Sequence, residues 1–396
     1  MQQEIRMGRF VEAYEGYERE KLTEEEAARL LGVTERHFRR MRVRYEQEGL
    51  EGLVDRRLGK ASARRVPVDK IEWVIEEYKT RYVGFTAKHF HEKMKKNPTF
   101  TWGYTWTKTL LQSRGLLEKA PRKGVHRKKR PRRPLEGMML HQDASKHDWL
   151  GDGSTLDLVV TMDDATSEIY SAFLTDEEGT VSSFQGLADV IETKGLPCSF
   201  YTDRGSHYWI TPEAGGKVDK VNLTQFGRAI KQLGIEGIAA YSPEARGRSE
   251  RMFRTLQDRL VNELALAKIG SKTEANRFIR EVYLPEHNKL FSVDAEQKGS
   301  AFVPVAGEAW RDILCIQEER QVGNDNTVRY NGLCLQLPAV PERPHFVKAT
   351  VRVHDYPDGA LAIFHGPRCL AKYTDKGDFV ALNPRKTSET KEKKAA

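Results

Sequence analysis

The pattern between Met138 and Leu266 constrains the fold most strongly, because strand and helix signals alternate there in one fixed order. Three segments rich in β-forming residues come first, and three such strands in a row predict an antiparallel arrangement. Two helix-strand pairs and a final arginine-rich helix follow, and this alternation adds parallel strands to the same sheet. The order βββαβαβα therefore predicts a mixed five-stranded sheet with helices packed on it.

Three acidic residues lie at informative places in this pattern. Asp143 lies on the first strand in HQDAS, Asp203 ends the fourth strand in FYTDRG, and Glu250 lies near the start of the last helix in AYSPEARGRSERMF. His141 and Asp143 share a face, because side chains alternate along a strand. Converging carboxylates repel one another unless a divalent cation is present. Since oxygen ligands favour Mg²⁺ or Mn²⁺, the three acids together predict a metal site.

The N-terminal segment carries the signals of a helix-turn-helix. Thr23 and Glu26 form a capping box, Gly32 ends the first helix, and Thr34 caps the second. The second helix would present basic side chains able to contact phosphates and guanine edges in a major groove, namely Arg36, Arg39, Arg40 and Arg42. The alternative is a plain helical hairpin with a basic outer surface.

A second helical segment follows and resembles another helix-turn-helix. Thr86 and Thr105 are predicted to cap its helices, and Lys108 faces outward as a candidate DNA contact. The stretch PRKGVHRKKRPRR comes next, and its prolines and positive charges predict an extended linker rather than a helix. We expect four of its residues to lie along a phosphate backbone: Arg127, Lys128, Lys129 and Arg130. The alternative is a solvated linker without a partner.

The charge balance agrees with a nucleic acid partner. Lysine and arginine number 65 against 57 acidic residues, which gives a formal net charge of +8 and favours a polyanionic partner. The four cysteines are far apart and form no CxxC pair, which argues against a zinc knuckle or a disulfide framework. The first residues, MQQEIRMGRF, contain no apolar signal core, and no window is apolar enough to span a bilayer. We therefore expect a cytoplasmic protein without a membrane partner.

The pattern changes again toward the C-terminus, where alternating segments around Gly, Asn and Asp turns predict a small β-barrel or sheet. The last residues are charged and are predicted to be disordered. The predicted domains are a helix-turn-helix domain (1–62), a second helical domain (63–120), the basic linker (121–135), the mixed α/β core (136–297), a β-rich domain (298–383) and a disordered tail (384–396).

The segments HQDAS, YTDRG, YSPEARGRSERMFRTLQDRL and LPEHNKLF resemble the catalytic core of DDE transposases, which are related to retroviral integrases. The whole chain resembles a bacterial insertion-sequence transposase of the ISNCY kind, and the order of its elements is that of the ribonuclease-H-like fold. In that fold the first and fourth strands are neighbours, so Asp143 and Asp203 would meet and Glu250 would pack across toward them. One departure is Arg204, because many integrase relatives have asparagine after the second aspartate.

The resemblance implies that Asp143, Asp203 and Glu250 are catalytic and hold two Mg²⁺ ions, for which Mn²⁺ can substitute. It also implies a double-stranded DNA substrate, made of terminal inverted repeats and a target, and a homodimer or higher multimer on that DNA. Further candidate DNA contacts lie around the glutamate: Arg248, Arg251 and Arg254. Two alternatives remain, a catalytically idle DNA-binding regulator and a structure-specific nuclease of the same fold.

Overall fold

The structure is a computed structural model that describes residues 2–54, 65–119, 130–213, 216–241, 243–339 and 343–380. It divides into two compact units, residues 1–74 and 75–396, which are described separately. The finer domain boundaries given above stay predictions. Three predicted DNA contacts, Arg127, Lys128 and Lys129, lie outside the described residues, as do most of the basic linker and the C-terminal tail.

The first unit contains the predicted helix-turn-helix. Its elements are α1 (Gln2–Glu18), α2 (Glu24–Leu31), α3 (Glu35–Glu48) and a 3₁₀ turn (Gly49–Leu53). The capping box between Thr23 and Glu26 is present, and Gly32 ends α2 with a φ of 66°, a left-handed conformation that suits glycine. Thr34 caps α3, as the sequence predicts. A small apolar core joins the three helices: Phe10, Ala13, Ala27, Ala28 and Phe38.

Three further helices precede the sheet, with α4 (Val68–Thr80) extending across the division between the units. Thr86 caps α5 (Ala87–Met94) through the amide of His89, as predicted. The prediction for the third of these helices is wrong at its start. The helix α6 (Tyr104–Ser113) has Gly103 as its N-cap, so Thr105 lies inside the first turn. Glycine is an acceptable N-cap residue, and here it replaces the hydroxyl cap that we expected.

The second unit is built on the mixed five-stranded sheet. Its strands are β1 (Leu140–His147), β2 (Leu156–Asp163), β3 (Ile169–Thr175), β4 (Ser199–Thr202) and β5 (Glu236–Ala239). Their order across the sheet is β3-β2-β1-β4-β5. The first three strands pair antiparallel, whereas β4 and β5 are added in parallel. Three helices connect or follow these strands: α7 (Thr180–Thr193), α8 (Gln225–Gln232) and α9 (Pro243–Leu266).

Each face of this sheet has its own apolar core. On one face, Leu140 and Phe200 pack with residues of α7 and α8. On the other face, β2 side chains such as Val160 pack against the apolar stripe of α9, which contains Met252, Phe253, Leu256, Leu260 and Leu264. Because strand side chains alternate, the residues between Leu140 and His147 with odd numbers face α9.

Two short helices and an antiparallel sheet complete the second unit. The helices α10 (Lys272–Phe278) and α11 (Leu284–Phe291) are joined by a single π-helical turn, Ile279–Tyr283. The C-terminal strands are β6 (Ile316–Gln321), β7 (Thr327–Tyr330), β8 (Leu333–Gln336), β9 (Thr350–Asp355), β10 (Leu361–His365), β11 (Arg368–Tyr373) and β12 (Phe379–Val380). Five of them form a sheet in the order β12-β11-β10-β9-β6, and β7 with β8 forms a separate hairpin. The predicted fold class is confirmed in all three parts. Among the described residues, no helix has the length and apolar character needed to cross a membrane.

Candidate active site

The parallel pairing of β1 with β4 brings two of the predicted acids together. Leu140 pairs with Phe200 and His141 pairs with Tyr201. Asp143 lies two residues beyond His141, and Asp203 lies two residues beyond Tyr201. The two aspartates are therefore equally far beyond the same register pair, Asp143 on β1 and Asp203 just after the end of β4, and neighbouring strands run about 4.8 Å apart in a sheet.

Asp143 lies on the face of the sheet that α9 covers. Asp143 is 9% exposed and pairs with Val160 of β2, whose side chain contributes to the core beneath α9. Asp203 comes directly after β4, and its Oδ1 accepts a hydrogen bond from the amide of Gly205 at 2.9 Å. This short turn limits the conformations open to the second carboxylate.

A buried tyrosine connects the regions around the two aspartates. The Tyr208 hydroxyl donates to Oε1 of Gln142 at 2.9 Å, and Gln142 is the residue directly before Asp143. Burial raises the pKa of Tyr208 well above its ordinary value, and the carboxylates of Glu178, Asp143 and Asp203 raise it further. Burial is the main cause, and the two aspartates add to it because a negative charge near a phenol disfavours the phenolate.

The third predicted acid, Glu250, is exposed on α9. Two turns later on the same helix, the Gln257 amide donates to the Ser145 hydroxyl at 3.0 Å. Ser145 lies two residues beyond Asp143 on β1, so this contact fixes α9 beside the strand that carries the first aspartate. Glu250 thus lies on the helix that packs against the face of the sheet to which Asp143 and Ser145 point.

The three acids are nevertheless not gathered into one cluster. Among the described residues, no three His, Cys, Asp or Glu side chains are close enough together to hold a metal ion. The donor chemistry of the aspartate pair fits a hard divalent cation, because carboxylate oxygens are the ligands that Mg²⁺ and Mn²⁺ prefer. Glu250 would have to approach the pair to complete the set.

The candidate DNA contacts of the first unit differ in their surroundings. Arg36 and Arg40 are exposed on α3. Arg39 is also exposed, but it forms ion pairs with Glu24 and Glu35. Arg42 is held more firmly, since it donates to the Tyr17 hydroxyl at 2.7 Å and its guanidinium lies over the Tyr17 ring.

The candidates of the second unit also fall into two groups. Lys108, Arg251 and Arg254 are exposed on their helices. Arg130 and Arg248, in contrast, form ion pairs with the fully buried carboxylate of Asp164. DNA contact stays a prediction for both groups.

Two residues acquire roles that the sequence did not indicate. Arg204 donates to the Gly216 carbonyl at 2.9 Å and lies over the Tyr241 ring, so it holds the segment after Asp203 to the end of β5. Asp164, which has the sequence context of an ordinary turn residue after β2, is the centre of a buried ion-pair cluster. No pattern in the sequence distinguishes it from its neighbour Asp163.

Comparison with known proteins agrees with this architecture. Residues 14–67 match the family model described as a winged helix-turn helix. A protein of Sinorhizobium fredii named as a putative transposase, y4bF, is 29% identical over 349 residues, which cover 87% of this chain and 75% of that protein. The transposase for insertion sequence IS1202 of Streptococcus pneumoniae is 25% identical over 83% of this chain and 78% of its own length. The resemblance to insertion-sequence transposases is confirmed.

Retroviral proteins are among the solved structures that resemble this chain. One is the simian T-cell lymphotropic virus intasome in complex with the PP2A regulatory subunit B56 gamma, at 16% identity and a TM-score of 0.34, covering 66% of this chain and 85% of that one. Another is the HTLV-2 integrase catalytic core domain in complex with magnesium, at 15% identity and a TM-score of 0.28, covering 36% of this chain and 82% of that one.

Proposed function

We propose that this protein is a DNA transposase that binds the terminal repeats of its element, cleaves the DNA at the element end and joins the freed 3′-hydroxyl to target DNA. The observation that supports the proposal is the parallel register of β1 and β4, in which Asp143 and Asp203 each lie two residues beyond the pair His141–Tyr201, on a sheet against which the helix of Glu250 packs. The similarity to transposases over most of the chain supports the same function.

Asp143, Asp203 and Glu250 would hold two Mg²⁺ ions, or Mn²⁺ in their place. When bound, such ions activate the attacking oxygen and stabilise the leaving oxygen of an in-line displacement at phosphorus. The chain's own contribution is to fix the two aspartates rigidly. Asp143 lies within a paired strand, and the turn at Gly205 holds Asp203.

DNA binding would be divided between the two units. The exposed arginines of α3 are placed on the second helix of the helix-turn-helix, which is the element that enters a major groove in such domains. In the second unit, Arg251 and Arg254 lie one to four residues beyond Glu250 and would contact backbone phosphates near the reacting bond. Two element ends must meet at one target, so we expect a dimer or higher multimer on DNA.

The test compares Glu250→Gln, Asp143→Asn and Asp203→Asn in strand transfer of a pre-nicked end in Mg²⁺. Each substitution keeps the side-chain size but removes a metal ligand charge, so we expect strand transfer to fall by about 10²-fold or more. End binding measured by band shift should stay unchanged. Asp258→Asn is the matched control, because Asp258 is an exposed carboxylate on the same helix, eight residues after Glu250.

Near-normal strand transfer by Glu250→Gln would refute the assignment of the three acids. The wild-type protein also separates the alternatives. An idle regulator would neither cut nor join, and a nuclease of the same fold would cut without joining.

A further inference from the structure

A single buried carboxylate connects the strand of the first aspartate with the helix of the glutamate. Asp164 follows β2 directly and is fully buried. Its Oδ1 accepts hydrogen bonds from His141 at 2.7 Å and from Arg130 at 2.5 Å, and it also contacts Arg248. Its Oδ2 accepts the backbone amide of Arg133 at 2.7 Å. We call these five residues the Asp164 cluster.

Two members of the Asp164 cluster lie next to candidate active-site residues, one on β1 and one on α9. His141 is two residues before Asp143 on β1 and shares its face of the sheet. Arg248 is two residues before Glu250 on α9, and its second nitrogen donates to the Arg130 carbonyl at 2.6 Å. The same carboxylate therefore binds the strand next to one acid and the helix next to another.

The central side chains of the Asp164 cluster are buried, so water screens their charges only weakly. The Asp164 side chain is 0% exposed and that of Arg248 is 16% exposed. Burial alone would raise the pKa of Asp164, but the hydrogen bond and charge of His141, the Arg133 amide and Arg248 hold it well below its usual range. These contacts favour the ionised carboxylate, which is the form that pairs with the Arg248 guanidinium.

Among the α9 side chains that the structure describes, the apolar core does not extend to this end of the helix. The apolar stripe that holds the helix on the sheet begins at Met252 and continues toward Leu264. Of the residues directly before Glu250, Gly247 and Ser249 offer no large apolar side chain. Arg248 contacts Asp164, which directly follows β2, and so connects this end of α9 with the β1–β2 side of the sheet.

We propose that Asp164 and Arg248 are positioning residues, which hold the first turns of α9 so that Glu250 can reach Asp143 and Asp203. This inference rests on the proposed function, because it assumes that Glu250 acts with the two aspartates. It gives Arg248 a task different from the DNA contact that the sequence suggests. The two tasks predict different measurements, since a DNA contact sets affinity and a positioning contact sets the rate once DNA is bound.

The test is Arg248→Gln, in which Asp164 keeps its ion pair with Arg130 and its hydrogen bonds from His141 and the Arg133 amide, so the buried carboxylate does not lose all its partners. The matched control is Arg259→Gln on the same helix. Arg259 is 10% exposed in its side chain and pairs with Glu92 at 2.7 Å, eleven residues beyond Arg248 along α9. Three quantities are measured for each variant: the single-turnover rate of strand transfer at saturating pre-nicked DNA, the Kd for that DNA, and Mn²⁺ binding without DNA by electron paramagnetic resonance.

For Arg248→Gln we expect the rate to fall by about 10²-fold, the effect of a small misplacement of a reacting group. The Kd should change less than about twofold, because no phosphate contact is lost. Mn²⁺ binding should weaken in the same direction as in Glu250→Gln. Arg259→Gln should lower thermal stability but leave the rate and Mn²⁺ binding close to those of the wild type.

A raised Kd with a normal saturated rate and normal Mn²⁺ binding would overturn the inference and return Arg248 to the DNA contacts. Equal effects of Arg248→Gln and Arg259→Gln would also overturn it. Arg248→Lys, which keeps the charge but loses the contact to the Arg130 carbonyl, should give an intermediate rate at an unchanged Kd. If Arg248→Gln does not fold, the rate and Kd of Arg248→Lys distinguish a positioning role from a DNA contact in the same way.

Glu250→Gln in the same assay distinguishes a failure of the proposed function from a failure of the positioning role. Normal strand transfer by Glu250→Gln refutes the proposed function whatever Arg248→Gln does. An inactive Glu250→Gln together with a normal Arg248→Gln refutes only the positioning of α9.

Discussion

The ion pairs between α5 and α9 provide the sharpest test of how the second unit is held together. Glu263 of α9 accepts contacts from His89 and Lys93 of the α5 helix, both at 2.6 Å. The side chains are 12%, 2% and 14% exposed, respectively. A second ion pair, between Lys96 and Glu286, joins neighbouring segments at 2.8 Å, but its side chains are 61% and 53% exposed. The chain therefore offers a buried pair and an exposed pair for comparison.

We expect Glu263→Gln to destabilise this unit much more than Glu286→Gln does. Removing one partner of a buried ion pair costs about 3–5 kcal/mol, and the lower end applies here because the amide can still bond to His89. An exposed pair contributes at most about 1 kcal/mol. The entropy of unfolding is about 2.1 cal/mol/K per residue, or ~0.6 kcal/mol/K for roughly 300 residues. The expected fall in Tm is then about 5 °C for Glu263→Gln and below about 2 °C for Glu286→Gln.

Differential scanning calorimetry of both variants at pH 7 measures these shifts directly. In 1 M NaCl the effect of Glu286→Gln should disappear, whereas that of Glu263→Gln should persist, because salt screens exposed charges far more than buried ones. The reasoning is wrong if Glu263→Gln lowers Tm no more than Glu286→Gln.

Two further predictions concern other parts of the chain. In band shifts, Arg36→Ala and Arg40→Ala should weaken binding to element ends more than binding to random DNA. Arg42→Ala loses its contacts with Tyr17 and should instead lower the stability of the protein. Equal losses of affinity for both DNAs would show that Arg36 and Arg40 contribute charge alone. Burial lowers the pKa of His287 to about 4, below its unfolded value near 6.5. Between these two pH values the native state binds fewer protons than the unfolded state. The free energy of unfolding therefore falls as the pH drops from about 6.5 toward 4, by at most about 1.4 kcal/mol per pH unit. Unfolding titrations of His287→Phe should show a flatter pH dependence there, and an unchanged slope would contradict this account.

Local chemistry makes much of the fold predictable. The caps at Thr23, Thr34 and Thr86 depend on a hydroxyl and an amide a few residues away, so the sequence contains all the information needed. The alternation of side chains along a strand likewise predicts from the sequence that His141 and Asp143 share one face. The helix start at Gly103 was missed because a glycine N-cap makes no side-chain hydrogen bond that a sequence pattern can indicate.

Contacts between distant basic and acidic residues were not predictable in the same way. The sequence predicts DNA contacts for Arg130 and Arg248 and gives no sign that both bind Asp164, 34 and 84 positions away along the chain. Arg42 looked equivalent to Arg36, yet it packs on Tyr17. The sequence shows how many charged residues a segment has. It does not show where a partner carboxylate is buried, and that position decides which arginine forms an ion pair and which stays exposed.

The geometry around α9 explains why Glu250 can be the adjustable member of the proposed triad. Asp143 and Asp203 belong to paired strands or to the turn directly after one, and hydrogen bonds across a sheet leave little freedom. Glu250 lies before Met252, the first large apolar residue of the helix stripe, and close to Arg248, which contacts Asp164 and the Arg130 carbonyl. Polar contacts are directional, so the contacts of Arg248 orient this helix end, whereas the packed apolar stripe keeps the rest of α9 from sliding. In the proposed site, two acids belong to the sheet and the third lies on a helix end that polar contacts hold. Glu250 could therefore move toward bound ions without any change in the sheet.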